Sequence, residues 1–328
     1  MRAFDPANDL LADNAALQAR FNEDGFLFFR GVLNPVKLLW IRRQIVAICA
    51  RQRWLKPATD PMDAVAWTSA KVEGESDYFA VYDEIQKLED FHALPHDPAV
   101  LKIMRGVLND TAFPHPLSIA RLSFPGIPEW STPPHQDYPN NQGTQDLYAC
   151  WVPLSDCPTA LGGLSVLRGS HRFGVLPLQF ALGPGHRQAV LPPKMATLEW
   201  LTTDYRLGDL IVFHSLTVHR ALPNHTDRLR LSVDYRFQKE GEPLAGTCLQ
   251  PHFNRSSWDD IYRGWRDDKL KYYWRGKSFT TAEWDSSLHA LPDTHMKEAV
   301  RAQRAFDKKR AEMQSSYDRG LPPGHDSH

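Results

Sequence analysis

The segment His135-Gln136-Asp137 carries residue types that can bind a redox metal ion. In a β-strand, residues i and i+2 point to the same face, so His135 and Asp137 are expected to reach one ion while Gln136 points away. A histidine from a second strand would complete a set of two imidazoles and one carboxylate. That set is the facial arrangement of non-haem Fe(II) oxygenases, which leaves coordination positions open for chemistry.

Two later histidines compete for the third position. His214 and His219 both follow the apolar run 210–213, so spacing alone leaves the choice between them open. A second His-x-Asp pair, His225 and Asp227, lies in a Pro-Asn-His-Thr-Asp stretch that is typical of a turn. We therefore do not expect that second pair to bind a metal.

The predicted strand over residues 229–238 supplies a candidate carboxylate clamp. Its same-parity positions share one face; they are Arg228, Arg230, Ser232, Asp234 and Arg236. Arg230 is the first choice because its planar fork can pair with a carboxylate through two hydrogen bonds, with Ser232 as a second donor. Arg228 is the fallback, and Arg230 could instead form a structural pair with Asp234. A redox metal beside such a clamp indicates an oxygenase that consumes a 2-oxo acid and O2.

The elements that must position these residues change character along the chain. Apolar periodicity predicts helical structure in the first third, interrupted by a short aromatic strand; the helices are at 8–24, 35–51 and 97–107, and the strand is at 25–29. Short strands separated by Gly and Pro turns follow, which is typical of a sandwich or barrel; they are predicted at 116–123, 133–138, 146–153, 163–167, 209–214, 216–221 and 229–238. The fold class is thus mostly β with helical flanks.

Composition excludes several classes of protein. The chain has 328 residues, a net charge of -1 and 42% hydrophobic residues, so it carries no basic footprint for nucleic acid. No stretch approaches the roughly 18 apolar residues of a membrane span, and the N-terminus lacks the pattern of a signal peptide. We therefore expect neither a nucleic-acid nor a membrane partner. The cysteines, Cys49, Cys150, Cys157 and Cys248, are expected to be free thiols in the cytoplasm.

A series of short motifs in fixed order resembles one enzyme family. The series is Asp24 to Leu33, His135-Gln136-Asp137, Trp151 to Asp156, Gly162 to Val166, Gly169-Ser170-His171, Gly208 to His214, His219, and Arg230-Leu231-Ser232. Taken together over about residues 20–240, they resemble the phytanoyl-CoA dioxygenase family of Fe(II)/2-oxoglutarate oxygenases. The eleven-residue interval from His219 to Arg230 also resembles that family, which favours His219 over His214.

The resemblance implies a double-stranded β-helix of the jelly-roll, cupin-like type, with the metal inside one end of the barrel. It implies that His135, Asp137 and His219 bind Fe(II), and that Arg230 holds the distal carboxylate of 2-oxoglutarate. It also implies an enzyme that hydroxylates a small-molecule substrate. We expect residues 1–250 to form the oxygenase domain, and residues 251–328 to form a helical extension that packs on it, with a disordered tail.

Further candidates flank these residues. Trp151 and Arg121 are expected near 2-oxoglutarate. Substrate contacts are expected from positions beside the metal pair; they are Gln136, Tyr138, Asn140 and Asn141. An aromatic loop at 60–90 is expected to add to the substrate pocket. A helix predicted at 294–316 could cap the fold or form a dimer contact, so the chain is expected to be a monomer or a homodimer.

Two other functions would use the same residues. Two histidines, a carboxylate and a water molecule also form a catalytic zinc site, as in a zinc-dependent hydrolase. That function leaves Arg230 without a role and needs a general base. A non-catalytic barrel that binds a ligand is the second alternative, although it gives the complete metal set no task.

Overall fold

The computed structural model describes residues 1–292 and 296–320. The helices are α1 Asn14–Asp24, α2 Pro35–Arg51, α3 Ser76–Ile85, α4 Glu89–Ala93, α5 Pro98–Leu108, α6 Tyr138–Asn141, α7 Trp258–Tyr262 and α8 Met296–Asp318. The strands are β1 Phe26–Phe29, β2 Ala112–Ser123, β3 Tyr148–Pro153, β4 Leu164–Leu167, β5 Leu178–Phe180, β6 Arg187–Ala189, β7 Trp200–Leu201, β8 Leu210–His214, β9 His219–Ala221, β10 Arg230–Lys239, β11 Leu244–Ala245 and β12 Thr281–Ala282.

Local signals explain where the early helices begin and end. The side chains of Asn34 and Asp97 accept hydrogen bonds from the second helical residues of α2 and α5, and a proline occupies the first position of each helix. Helix α1 ends at Gly25, whose φ of 79° lies in the left-handed region. A Cβ atom at Gly25 would lie 2.3 Å from Nδ1 of His171, so this position requires glycine for two reasons.

Two antiparallel sheets form the β core. The larger has five strands in the order β1-β8-β3-β10-β2, and the smaller has three in the order β7-β4-β9. Strands β5 and β6 form a separate antiparallel pair, and β11 pairs with β12 in parallel. The larger sheet and helices α1, α2, α3 and α5 share one extensive apolar cluster, so these helices cover one face of the sheet.

The alternation along β10 separates core residues from site residues. Leu231, Val233, Tyr235 and Phe237 join the apolar cluster beneath the helices. The intervening residues, Arg230, Ser232, Asp234 and Arg236, must point to the opposite face, and all four are buried. The period of two therefore places a row of three charged side chains and one serine inside the protein.

A second apolar cluster fills part of the space between the two sheets. It combines β1, β3 and β8 of the larger sheet with β4 and β7 of the smaller one, through Phe28, Trp151, Phe213, Val166 and Leu201 among others. Strand β10 contributes no residue to this second cluster.

The last third of the chain packs against both the sheet and the helices. Residues 244–279 form an aromatic cluster around Phe113 at the start of β2. Helix α8 places Phe306, Met313 and Tyr317 in the main apolar cluster, and Phe306 stacks on Trp130 with ring centroids 4.5 Å apart. Arg310 of α8 forms an ion pair with Glu75 at 2.6 Å. The prediction of a disordered tail concerns mainly residues 321–328, which lie outside the described residues.

Two predicted elements are wrong. Residues 133–138 do not form a strand, because His135 makes only an isolated bridge to His219 and helix α6 starts at Tyr138. The expected loop at 60–90 contains helices α3 and α4, whose apolar faces pack in the core. No helix in the described part of the chain is long and apolar enough to cross a membrane. The four cysteines are free, and all four are buried.

Candidate metal centre

The structure brings together the three side chains of the predicted facial set. His135, Asp137 and His219 each offer a ligand atom, and these atoms lie within 4.8 Å of one another. Oδ1 of Asp137 lies 3.8 Å from Nε2 of His135 and 3.7 Å from Nε2 of His219. The competing His214 lies elsewhere, with its Nε2 atom 3.5 Å from Asp146.

Backbone hydrogen bonds, rather than a strand, position His135 and Asp137. The backbone N–H groups of His135 and His219 each donate to the carbonyl of the other at 3.0 Å, and the N–H of Asp137 donates to Ser215 at 2.8 Å. The pair therefore lies along strand β9 and the turn that precedes it, and Asp137 directly precedes helix α6.

The hydrogen bonds of the two imidazole rings fit metal binding. Nδ1 of His135 lies 2.9 Å from the carbonyl of Pro133, and Nδ1 of His219 lies 3.0 Å from the carbonyl of Thr217. Because a carbonyl only accepts, each Nδ1 carries the proton, and each Nε2 keeps a lone pair that faces Asp137. Two neutral Nε2 atoms and one carboxylate oxygen at one point form a donor set that suits Fe(II).

Electrostatics keep this donor set ready to bind a cation. Burial lowers the pKa of His135 to about 3 and also lowers the pKa of His219, so both rings are neutral at pH 7. Burial alone would raise the pKa of Asp137, but its charged neighbours, chiefly Arg236, outweigh burial and lower that pKa to about 2. Nη2 of Arg236 lies 3.0 Å from Oδ2 of Asp137, the oxygen that the histidines leave free.

A cavity of about 250 Å³ opens beside the metal ligands, lined by residues that include His135, Asp137, Arg121, Arg187 and Arg236. Arg230 lines a smaller cavity of about 40 Å³. The two cavities share Glu73, Arg121, Thr132 and Pro184 as lining residues, so they are neighbours. The metal ligands thus lie on one side of this shared wall and Arg230 on the other.

Arg230 is buried and held in place by neutral partners. Its Nη1 atom donates to Oγ of Ser232 at 2.6 Å, and its Nε atom donates to the carbonyl of Gly162 at 3.1 Å. Asp234 does not pair with it; that carboxylate contacts Arg121 and Arg236 instead. The fallback Arg228 is half exposed and pairs with Asp63 at 3.3 Å on the surface.

Of the two other residues expected near 2-oxoglutarate, one lines the cavities. Arg121 borders both, and its guanidinium group contacts Asp234 at 3.3 Å. Trp151 is buried in the cluster between the sheets, and the guanidinium carbon of Arg230 lies 6.0 Å from its ring centroid. Trp151 therefore supports Arg230 from below rather than lining the cavity.

The four expected substrate contacts differ in position. Gln136, Asn140 and Asn141 line the larger cavity, whereas Tyr138 is not among its lining residues. The Gln136 amide group donates to the carbonyls of Gly174 and Leu216 and accepts from Leu176, and Asn141 donates to the carbonyl of Asp137. These hydrogen bonds favour structural roles for Gln136 and Asn141 and leave Asn140 as the exposed candidate.

Several lining residues were not singled out individually from the sequence, although Glu73 lies in the segment 60–90 that was expected to add to the substrate pocket. They are Glu73, Arg187, His252 and Phe253, together with Arg236, which was noted only for its parity. Glu73 precedes α3, Arg187 begins β6, and His252 and Phe253 follow the last strand of the larger sheet. Only Arg236 had a usable signal, because it shares a strand face with Arg230; the others reach the cavity through long-range packing.

The family model described as phytanoyl-CoA dioxygenase (PhyH) matches residues 21–232, a segment that includes the three metal ligands and Arg230. The chain belongs to the phytanoyl-CoA dioxygenase family. It is therefore a 2-oxoglutarate-dependent dioxygenase, which argues against both the zinc hydrolase and the non-catalytic barrel.

This member of the phytanoyl-CoA dioxygenase family is similar to two proteins by sequence and to a third by fold. The chain is 26% identical over 257 residues to 1-deoxypentalenic acid 11-beta-hydroxylase of Streptomyces arenae, covering 74% of this chain and 87% of the relative. It is 22% identical over 270 residues to phytanoyl-CoA dioxygenase domain-containing protein 1 of Mus musculus, covering 71% and 91%. The crystal structure of SnoN, a non-heme alpha-ketoglutarate-dependent epimerase from nogalamycin biosynthesis, shares the fold with a TM-score of 0.52 at 21% identity, covering 70% of this chain and 84% of SnoN.

Proposed function

We propose that this enzyme uses Fe(II) and 2-oxoglutarate to hydroxylate an unactivated C–H bond of a small molecule, with succinate and CO2 as co-products. The observation that carries the proposal is the convergence of two neutral imidazole Nε2 atoms and one carboxylate oxygen beside a cavity that adjoins a buried arginine. The Streptomyces relatives named as hydroxylases support hydroxylation as the outcome.

His135, Oδ1 of Asp137 and His219 would hold the metal. When bound, Fe(II) supplies the activation of O2, in which 2-oxoglutarate is oxidised to succinate and CO2 with one oxygen atom while the other enters the C–H bond of the substrate. The protein binds, orients and excludes water. His135 and Asp137 line the larger cavity, so the open side of the site is expected to face that cavity.

Arg230 and Ser232 would hold the C5 carboxylate of 2-oxoglutarate. Burial lowers the pKa of Arg230, and no carboxylate pairs with its guanidinium group among the described residues. An arginine side chain stays protonated in a protein, and a buried charge without a counter-ion is costly. A ligand carboxylate that enters the smaller cavity would supply the missing charge.

We further infer that the two antiparallel sheets are the faces of a double-stranded β-helix, with residues 1–250 as the oxygenase domain. The extension after residue 250 completes it, because His252 and Phe253 line the cavity and helix α8 packs in the main apolar cluster. The extension is thus expected to be necessary for a closed substrate site.

The test measures succinate and oxygen uptake by protein reconstituted anaerobically with Fe(II), supplied with 2-oxoglutarate and then exposed to O2. We expect slow succinate formation without added substrate, with one O2 consumed per succinate, and its loss in the His135→Ala variant. Succinate formation that persists in His135→Ala at the wild-type rate would overturn the assignment. His225→Ala, which removes an exposed histidine from the other His-x-Asp pair, is the matched control.

A further inference from the structure

Four of the described arginines line the two cavities, and Arg230 is the proposed anchor for 2-oxoglutarate. Of the other three, two are paired with protein carboxylates and one is not. Arg121 lies 3.3 Å from Asp234 and 4.0 Å from Glu73. Arg236 lies 3.0 Å from Asp137 and 3.4 Å from Asp234. Both guanidinium groups that border the metal ligands are therefore neutralised by protein carboxylates.

Arg187 is the exception. It lines the cavity that contains His135 and Asp137, and it is only half buried at the start of strand β6. Its Nε and Nη1 atoms donate to the backbone carbonyls of His289 and Gly185, at 3.2 Å and 3.1 Å. Within residues 1–292 and 296–320, no carboxylate forms an ion pair with it, and Nη2 has no hydrogen-bond partner.

Binding of Fe(II) and 2-oxoglutarate would not neutralise the positive charge of Arg187. Fe(II) and the 2-oxoglutarate dianion cancel each other. Arg121, Arg230 and Arg236 are matched in number by Asp137, Asp234 and Glu73, and Lys71 is paired with Asp77. Arg187 therefore adds one positive charge to the cavity that His135 and Asp137 line. Its two anchored nitrogen atoms fix the guanidinium plane, which leaves Nη2 free to donate to a ligand.

We propose that the prime substrate is a small carboxylic acid and that Arg187 binds its carboxylate. The inference rests on the proposed function, because it assigns the substrate side of the same site. A charge-assisted hydrogen bond from a fixed arginine would orient the substrate relative to the metal ligands. Arg187 is thus a specificity-determining residue, distinct from the 2-oxoglutarate clamp at Arg230, which borders the other cavity.

The other residues that line the cavity favour an acid whose remaining groups are apolar. Leu117, Ile119, Pro139, Leu178 and Phe253 contribute apolar side chains to the lining. Apolar walls with a single charged anchor are the usual way in which a pocket binds and orients a small ligand. A volume of about 250 Å³ is suited to a compact acid rather than to a long chain.

The same charge distribution disfavours a coenzyme A thioester. Its phosphate groups would need several cations, whereas the described lining of this cavity offers Arg187 as its one unpaired arginine. His252 does not add a charge, because burial lowers its pKa to about 3. The free acid, with a single negative charge, matches the single free guanidinium group.

The test uses 1-adamantanecarboxylate and 1-deoxypentalenic acid as probes, each compared with its neutral primary amide. The anaerobic complex of protein, Fe(II) and 2-oxoglutarate is titrated with each probe, and the change in its visible charge-transfer absorption gives the Kd. Thermal unfolding of the iron-free protein with each probe gives a second measure of binding. Wild type is compared with Arg187→Gln and Arg187→Lys, and the matched control is Arg263→Gln, whose side chain is 80% exposed.

We expect at least one acid to bind more than tenfold more tightly than its amide. Arg187→Gln is expected to raise the Kd of that acid about 10- to 100-fold, as for loss of a hydrogen bond to a charged group. The affinity for 2-oxoglutarate should change by less than twofold. Arg187→Lys should restore part of the binding. Equal binding of acids and amides, no acid binding, or full affinity in Arg187→Gln would overturn the proposal. Absence of the visible band in wild type before any probe is added would instead contradict the proposed function.

Discussion

Nη2 of Arg236 lies 3.0 Å from Oδ2 of Asp137, while Oδ1 of the same carboxylate faces Nε2 of His135 and Nε2 of His219. The carboxylate is thus held from behind by a buried arginine, 2% exposed, that borders the same cavity. Arg236 thus contacts the carboxylate oxygen that does not face the histidines. It is a positioning residue, because it acts through Asp137.

Removing this support should weaken metal binding. We expect Arg236→Gln to reduce Fe(II) affinity about 10- to 100-fold, as for loss of a group that orients a metal ligand. Arg236→Lys should retain part of the affinity because it keeps the charge. Competition with a chromogenic chelator under anaerobic conditions measures the affinity, and circular dichroism of the metal-free variants checks the fold. Wild-type affinity in a folded Arg236→Gln protein would show that Asp137 needs no such support.

The two arginines at the start of β10 should differ sharply in their effect on 2-oxoglutarate. Arg230→Gln is expected to raise the 2-oxoglutarate Kd at least tenfold, because the substitution removes the cation that would pair with the distal carboxylate. Arg230→Lys should rescue poorly, since a lysine cannot donate to Gly162, Ser232 and the ligand in the same plane. Arg228→Gln, at a half-exposed position, is the matched control. Equal effects at the two positions would contradict the clamp assignment.

Variants of His219 and His214 should distinguish the third metal ligand from a nearby structural histidine. Fe(II) at 100 times its Kd should raise the free energy of unfolding by about 2.7 kcal/mol if it binds only the folded protein. His219→Ala should abolish this stabilisation, whereas His214→Ala, whose ring contacts Asp146 instead, should keep it. Thermal unfolding under anaerobic conditions with and without Fe(II) measures the difference. The reverse pattern would transfer the third ligand to His214.

Stability should fall in mild acid because of buried neutral histidines. Burial lowers the pKa of His92 from 6.5 to about 4, and its Nε2 donates to the carbonyl of Gln86 at 2.8 Å. The unfolded state then binds more protons between these two values, so the stabilisation is complete above pH 6.5 and is lost as the pH falls towards 4. The shifted pKa of His92 contributes up to about 3 kcal/mol to the free energy of unfolding at neutral pH.

Denaturant unfolding at pH 7 and at pH 4.5 checks this prediction. The wild type should lose stability at the lower pH, and His92→Phe should lose less because it removes one of the titrating groups. His225→Gln, at an exposed position, is the matched control and should keep the wild-type difference. A difference between the two pH values that is the same in His92→Phe as in wild type would sink the prediction.

Local patterns in the sequence predicted much of the fold. Asn34-Pro35 and Asp97-Pro98 marked helix starts that the structure confirms, and the alternation after residue 229 predicted strand β10. The three metal-ligand candidates also lie together. Each of these features depends on residues near one another in the chain or on motifs with fixed spacing.

Features that depend on tertiary contacts could not be predicted from local sequence patterns. The strand predicted around His135 is absent because Pro133, Pro134 and Pro139 limit backbone pairing there to a single bridge with His219. Arg187 and His252 reach the cavity from β6 and from the extension, and nothing in their local spacing indicates it. Helix α3 was missed because its aromatic residues were interpreted as part of a loop. Tyr78 and Tyr82 are buried in the apolar core, and Tyr78 also borders the smaller cavity.

Anaerobic spectroscopy of Fe(II) and 2-oxoglutarate tests the iron site most directly, because it needs neither O2 nor a known substrate. Wild-type protein should develop a weak visible charge-transfer band when both are present, with one iron per chain. Asp137→Ala and Arg230→Gln should lose it at the same ligand concentrations, and Arg228→Gln should keep it. A band that survives in Asp137→Ala, or no band in wild type, would contradict the assignment of His135, Asp137 and His219 as the iron site.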